Sequence, residues 1–350
     1  MKKQPLFNKI NREVLKKDLH NETFQRVTVS FYKYFEIQSP STFRDDLYKK
    51  FDRLKIFGRV YIAEEGINAQ ISVPTYNWNA FKKKLGKIKE LKDVPFKKAL
   101  QDGKSFYKLK IKVKKELVAY NVPKSSYNIQ KTGNHLTAKQ FNKALDNPDT
   151  LIVDMRNYYE SEIGRFKGAI IPNVETSKEL LPKVKNLLEG KEEEKILLYC
   201  TGGIRCEKAS SFLMQNGFKN VNQLQGGIIQ YAHEVKEKGL ESKFIGKNFV
   251  FDERLGERVT EDIISFCHIC KSPCDNHTDC KNDACHILFI QCNRCSEMLK
   301  GCCSEECKDF ALLPLVEQKI LRKNHFSKRL HKIFNHSQKK SSKIKAAHLL

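Results

Sequence analysis

No cysteine occurs before Cys200, and no apolar run approaches the roughly 18 residues that a membrane-spanning helix needs. The first absence confines all sulfur chemistry to the chain beyond that point. The second argues against a helical membrane protein, and the opening residues, MKKQPLFNKI, are too polar for a secretory signal. A soluble, cytoplasmic protein with no membrane partner is expected. The chain lacks the Gly-x-Gly-x-x-Gly fingerprint of a flavin site and any long internal repeat. From Gln318 to Leu350 it lacks a single acidic residue.

What is present is length, positive charge and a late burst of cysteine. The 350 residues are enough for two or three domains with real cores. Lys and Arg number 64 against 41 Asp and Glu, a net charge of +23. The surplus is clustered. Residues 82–115 hold fourteen lysines against Glu90, Asp93 and Asp102, and the stretch from Gln318 onward holds ten Lys and Arg. Clustering of this kind points to a polyanionic partner, nucleic acid ahead of a membrane surface. A generally lysine-rich composition is the alternative. Of twelve cysteines, ten lie between Cys267 and Cys307. In a reducing compartment this argues for metal or redox chemistry over a disulfide framework.

Local patterns divide the chain. VTVSFYKYF (27–35) reads as a strand, and SPSTFRDDLYKKFDRLKIFG as a helix with Phe43, Leu47, Phe51 and Leu54 at helical spacing. RVYIAEEGINAQISV reads as two strands around Glu65–Gly66. TYNWNAFKKKLGKI is a second helix presenting Trp78, Phe81 and Leu85, and SFYKLKIKVKKELVAY supplies one more strand or two. The order βαββαβ implies a ferredoxin-like α+β domain over 1–122. A polar, turn-rich joint follows, Val122 to Leu136. From 137 to about 241, TLIVDM, KILLY and VNQLQ read as buried strands between helical patterns, an α/β domain with a parallel sheet. Residues 242–314 are cysteine-rich, and 315–350 form a basic, disordered tail.

The fragment KILLYCTGGIRCEKASSFLMQNGF (195–218) stops an apolar strand at a cysteine and then starts a helix. Unpaired backbone amides at a helix N-terminus favour an anion, so the Cys200 thiol should ionise readily. Gly202 and Gly203, between Thr201 and Ile204, let the loop curl so that its N–H groups point inward. Arg205 closes the loop and adds a fixed positive charge. The alternative for Cys200 is a small buried apolar residue, but that needs neither the glycines nor Arg205. Cys206 reads as a core cysteine, with a resolving role opposite Cys200 as the alternative. Cysteine phosphatases space cysteine and arginine one residue further apart; the smaller cradle here suits a sulfur atom.

Beyond the sulfur loop, Cys267-x2-Cys270 and Cys292-x2-Cys295 have the spacing of two zinc knuckles, with 21 residues between them. Cys280, Cys285, Cys302 and Cys307 are candidates for a second site, with Cys274, Cys303, His268, His277 and His286 as spare ligands. Structural zinc is the expected occupant, against free thiols or an Fe–S cluster. His277-Thr-Asp279 also has the His-x-carboxylate spacing of mononuclear iron oxygenases; a loop or a neighbour of a zinc site is the expected reading.

The loop resembles that of rhodanese domains. LIVDMRNYYESEIGRFKGAIIPNV resembles the stretch that opens such a domain, with Asp154 and Arg156 as its Asp-x-Arg pair, although Arg165 stands where that family usually has histidine. SSFLMQNGFKNVNQLQGGIIQYA resembles the segment that closes it. Together with VSFYKYF, GRVYIAEEGINAQISVP, GKNFVFDERLGERV and CHICKSPCDNHTDCKNDACHILFIQC, the order from about Arg26 to Cys307 resembles the bacterial rhodanese-domain tRNA uridine hydroxylases. The resemblance implies an oxygen-dependent enzyme that makes 5-hydroxyuridine at the tRNA wobble position. It implies Cys200 as the active cysteine, with a persulfide as one of its forms. It implies tRNA as partner and molecular oxygen as co-substrate; no oxygen-activating cofactor and no stable protein partner can be named. Tyr32, Tyr34 and Phe35 are expected in the strand core, with stacking on an anticodon base as the alternative. A sulfurtransferase acting on tRNA and a non-catalytic zinc-containing RNA-binding protein are the rival readings.

Overall fold

The computed structural model describes residues 6, 8, 10–174 and 176–323. It forms two compact units, Met1–Thr260 and Glu261–Leu350. None of the described helices is long and apolar enough to cross a membrane.

The first unit begins with α1 (Arg12–His20), which the sequence reading did not anticipate, capped by the Asn11 side chain. Then come β1 (Arg26–Tyr34), α2 (Pro40–Asp52), β2 (Phe57–Ala63), β3 (Gly66–Pro74), α3 (Trp78–Leu85), β4 (Lys97–Lys98) and β5 (Leu109–Val113). The sheet order is β4-β1-β3-β2-β5. Its first four strands are the ferredoxin-like arrangement expected. The fourth position, however, is filled by β4, two residues inside a lysine run and too short for alternation to be legible. The expected strand of SFYKLKIKVKKELVAY is β5, an added edge strand parallel to β2. One face of the sheet packs Val29, Phe31, Ile71 and Val60 against Leu47, Phe51 and Phe81 of the helices. Side chains alternate along a strand, so Thr28, Ser30, Tyr32 and Tyr34 stand on the opposite face.

The presumed joint is ordered. The Ser211 hydroxyl accepts from the Asn128 N–H and donates to the Asn128 carbonyl, and the Ser210 hydroxyl accepts from the Gly133 N–H. The parallel sheet starts within it, at β6 (Asn134–Leu136). The run continues with α4 (Ala138–Leu145), β7 (Leu151–Asp154), α5 (Tyr158–Glu162), β8 (Gly164–Phe166), α6 (Ser177–Leu187), β9 (Lys195–Tyr199), α7 (Ile204–Gln215), β10 (Asn220–Leu224) and α8 (Gly227–Lys238). Strands β6-β10-β9-β7 pair in that order, all parallel. The segment after 241 stays with this unit: β11 (Phe244–Asn248) pairs antiparallel with β8, and β12 (Glu257–Arg258) with β11. The cysteine-rich body therefore starts near 261, not 242.

The second unit holds the hairpin β13 (His277–Asp279) and β14 (Leu288–Ile290), then α9 (Asn293–Met298), α10 (Glu305–Leu312) and α11 (Leu315–Lys323). Its buried clusters are small, built on Cys280, Phe289, Cys302 and Cys307 and on Ala284 and Phe310. The first part of the expected disordered tail is thus the helix α11; residues 324–350 lie outside the described residues.

Candidate active site

Cys200 follows β9 directly and is fully buried. The Gly203 N–H donates to its Sγ at 3.1 Å. Gly203 has φ +96°, a left-handed conformation that favours glycine. Gly227, at φ +69°, lets α8 close on the loop from behind: a Cβ there would lie 2.5 Å from the Cys200 carbonyl oxygen, and the Ile228 N–H donates to that oxygen at 3.0 Å. Burial alone would raise the Cys200 pKa. The Cys206 thiol, the Arg205 charge and the amides of Arg205 and Cys206 outweigh it and bring the pKa from 9.0 down to about 6. The same arrangement holds Cys206 protonated: burial, then the neighbouring Cys200, push its pKa well up. Cys206 is the core cysteine expected, fully buried in the apolar cluster, and its thiol also favours the Cys200 anion.

Alkylation of Cys200 by iodoacetamide, followed by peptide mass spectrometry, is expected to be half-maximal near pH 6. A half-point near 8.5, the value of a free thiol, would contradict the thiolate nest. Because the folded pKa lies below the unfolded one, the linked stability is fully present above about pH 9 and is lost as the pH falls toward 6.

Arg205 does more than lend charge to the sulfur. Its guanidinium grips the buried Glu160 side chain in a fork, Nη1 to Oε1 at 2.6 Å and Nη2 to Oε2 at 2.8 Å, while Nη2 also donates to Thr201 Oγ1 at 3.1 Å. The Tyr120 hydroxyl donates to the Arg205 carbonyl at 3.0 Å. Asp154 and Arg156 form a fully buried pair one layer back: the Tyr199 hydroxyl donates to Asp154 Oδ2 at 2.7 Å, and Arg156 Nη2 donates to the Gly164 carbonyl at 2.7 Å. This pair supports the strand end, with no hydrogen bond to the sulfur. Arg165 points its guanidinium at the Ser161 carbonyl. Glu160 was not singled out from the sequence; the signal available was its place between the Asp-x-Arg pair and Gly164.

The sulfur loop faces the open side of the N-terminal sheet. Between them lies a cleft of about 480 Å³ whose lining includes Tyr32, Arg59, Lys97, Thr201, Gly202 and Arg205. Tyr32 and Tyr34 belong to this contact and not to the strand core; only Phe35 packs against the core. The Tyr32 hydroxyl donates to Glu207 Oε1 at 2.8 Å, and that of Tyr34 to the Ile204 carbonyl at 3.3 Å. Glu207 is also held by His135 and Gln223. The Lys97 ammonium lies 4.4 Å from the Tyr32 ring centroid. Burial lowers the Lys97 pKa to about 8, against the upward pull of Cys200 and Glu207. Lys208 ties the two domains further, its ammonium bonding Glu65, Glu116 and the Val118 carbonyl.

In the second unit the sulfur atoms of Cys267, Cys270, Cys292 and Cys295 lie within 4.8 Å of one another, and so do those of Cys280, Cys285, Cys303 and Cys307. The first set is the one expected. In the second, Cys303 takes the place assigned to Cys302, which is buried in the small core instead. Two adjacent cysteines cannot be told apart by spacing alone. A zinc–thiolate tetrahedron with Zn–S of about 2.3 Å has edges of about 3.8 Å. The sulfurs of Cys270 and Cys292 are 3.6 Å apart, those of Cys285 and Cys303 3.8 Å, and those of Cys303 and Cys307 3.6 Å. Both sets fit such a metal. His277 and Asp279 lie on β13, outside either set.

Residues 26–117 match the UPF0176 acylphosphatase-like domain, 137–234 the rhodanese-like domain and 245–308 the rhodanase C-terminal region. A protein of Leptospira interrogans is 50% identical over 323 residues, 92% of this chain and 88% of its own length. One from Photorhabdus laumondii is 50% identical over 335 residues, 95% of each chain. One from Yersinia pestis is 51% identical over 319 residues, 91% of this chain and 90% of its own. All three carry the name tRNA uridine(34) hydroxylase.

Proposed function

This chain belongs to the tRNA uridine(34) hydroxylase family, and from that premise we propose that it hydroxylates C5 of the wobble uridine of tRNA in the cytoplasm, using molecular oxygen and Cys200. The observation that carries the role of Cys200 is its place in the loop, where the Gly203 N–H donates to its Sγ at 3.1 Å; the charge of Arg205 and the neighbouring amides bring its pKa to about 6. At neutral pH that sulfur is a thiolate and a ready nucleophile.

The thiolate adds to C6 of the uracil, and the electron pair of the C5–C6 double bond moves toward C5 and O4. C5 then bonds to an oxygen atom derived from O₂. Loss of the C5 proton expels Cys200 and restores the double bond. The second oxygen atom leaves as water, its two electrons and two protons supplied by two external thiols that pair as a disulfide. Arg205 and the loop amides hold the sulfur anionic before attack and again after release.

We assign structural zinc to the two four-cysteine sets, Cys267, Cys270, Cys292, Cys295 and Cys280, Cys285, Cys303, Cys307. Bound zinc would cross-link a unit with few large buried apolar side chains, Phe289, Ile290, Leu299 and Phe310 among them. A second reading, transfer of sulfur from a Cys200 persulfide to tRNA, is favoured by the fit of the loop to sulfur.

Nucleoside mass spectrometry on tRNA incubated with the protein under ¹⁸O₂ separates the readings. A 5-hydroxyuridine carrying one ¹⁸O atom supports oxygen-dependent hydroxylation. Label arriving from H₂¹⁸O overturns it, and a thiolated nucleoside in place of the hydroxylated one supports the sulfurtransferase.

A further inference from the structure

The open face of the N-terminal sheet carries polar groups for which the chemistry at Cys200 has no use. β3 runs along its middle. The register pairs Gln70 with Ser30 on β1 and Arg59 on β2, and Asn68 with Tyr32 and Tyr61. All six residues line the cleft. On β5 the two rows continue, Arg59 opposite Lys110 and Tyr61 opposite Lys112.

Among the described residues, the side chains of Asn68, Gln70 and Arg59 have no hydrogen-bond or ion-pair partner. The Ser30 hydroxyl is buried with none. The Ser30 hydroxyl is the buried one, a position in which polar groups are nearly always paired; Asn68, Gln70 and Arg59 are half-buried and open to the cleft, free to pair with a ligand. All four face one cleft, beside the sulfur loop.

Their chemistry narrows the ligand. Two carboxamides offer both donors and acceptors. Asn68 sits between the Tyr32 and Tyr61 positions, with Gln70 two residues along the same strand face; aromatic rings beside amides are the surroundings in which an unstacked base is held by stacking and read along its Watson–Crick edge. Uracil presents acceptor, donor and acceptor there, at O4, N3–H and O2, which two amides can complement. Arg59 lacks a carboxylate and shares its row with lysines. The Lys110 amine is lowered by burial and by the charges of Lys112, Arg59, Lys108 and Lys114, a crowding that an anion relieves.

We propose that Asn68 and Gln70 read the edge of the uracil delivered to Cys200, with Arg59 holding a phosphate of the same RNA. This rests on the tRNA reading above and adds to it the side chains that select the base.

The test is direct binding, without oxygen, of the full-length protein to an anticodon stem-loop RNA with uridine at the wobble position and to the same RNA with cytidine. Wild type is expected to prefer the uridine RNA. Asn68→Leu and Gln70→Leu should each cut that preference about fivefold or more. Arg59→Gln should weaken both RNAs alike and flatten the salt dependence. An unchanged rate of Cys200 alkylation shows that the variants keep the sulfur loop. A preference that survives in both amide variants overturns the proposal. Formation of 5-hydroxyuridine is scored apart. A protein that makes it while binding both RNAs equally overturns the role of the amides and leaves the reaction standing. One that prefers uridine RNA, loses that preference in the amide variants and makes no 5-hydroxyuridine supports the amides and removes the reaction.

Discussion

With Cys200 replaced by alanine, 5-hydroxyuridine formation on purified tRNA is expected to fall by about 10³-fold or more, the scale seen when a nucleophile is deleted. The side chain is fully buried, and alanine fills nearly the same space. The loss is therefore chemical. The amides, Arg205 and Glu160 still close the loop, but no sulfur remains to add to C6. Cys200→Ser should fail almost as badly, because the nest that brings a thiol down to about 6 cannot ionise a hydroxyl near neutral pH. Binding of tRNA is the control. It should change little in either variant, since the cleft surface is shared among many side chains. An alanine variant working at the wild-type rate would take Cys200 out of the mechanism.

Elemental analysis of the wild-type protein should find two zinc ions per chain, one for each four-cysteine set. Cys303→Ser should leave about one, while the adjacent Cys302→Ser should keep both, since the Cys302 sulfur lies outside the cluster. Structural zinc supplies roughly 10–16 kcal/mol of apparent binding free energy in small domains. The buried apolar side chains of this unit are few by comparison, among them Phe289, Ile290, Leu299 and Phe310. A strong chelator should therefore open residues 261–323 to limited proteolysis, and restored zinc should close them. Zinc content unaffected by Cys303→Ser, or reduced by Cys302→Ser, would refute the ligand assignment.

The sulfur loop was legible because its chemistry is local: a strand end, two glycines and an arginine within six residues of Cys200. The parallel strands Leu151–Asp154, Lys195–Tyr199 and Asn220–Leu224 were legible for a similar reason, since buried strands read as continuous apolar runs. Long-range partners were not. Nothing adjacent in sequence announces that Glu160 will meet Arg205, or that Lys208 will find Glu65 and Glu116. Tyr32 and Tyr34 were placed in the core by composition. The two-residue alternation with Val29 and Phe31 already put them on the other face of β1. The choice between Cys302 and Cys303 turns on the direction of a side chain, which spacing does not encode.

Gly203 is pinned from outside its own domain. A side chain on it would come within 2.9 Å of the Tyr32 hydroxyl, and its amide donates to the sulfur at 3.1 Å. The strand that supplies one wall of the cleft thus also steadies the donor on which the anion depends. On the proposed reading, specificity and reactivity share a single mechanical support: a base seated against Tyr32 would press on the loop that keeps the nucleophile charged, so substrate loading would be sensed at the sulfur with no separate moving part.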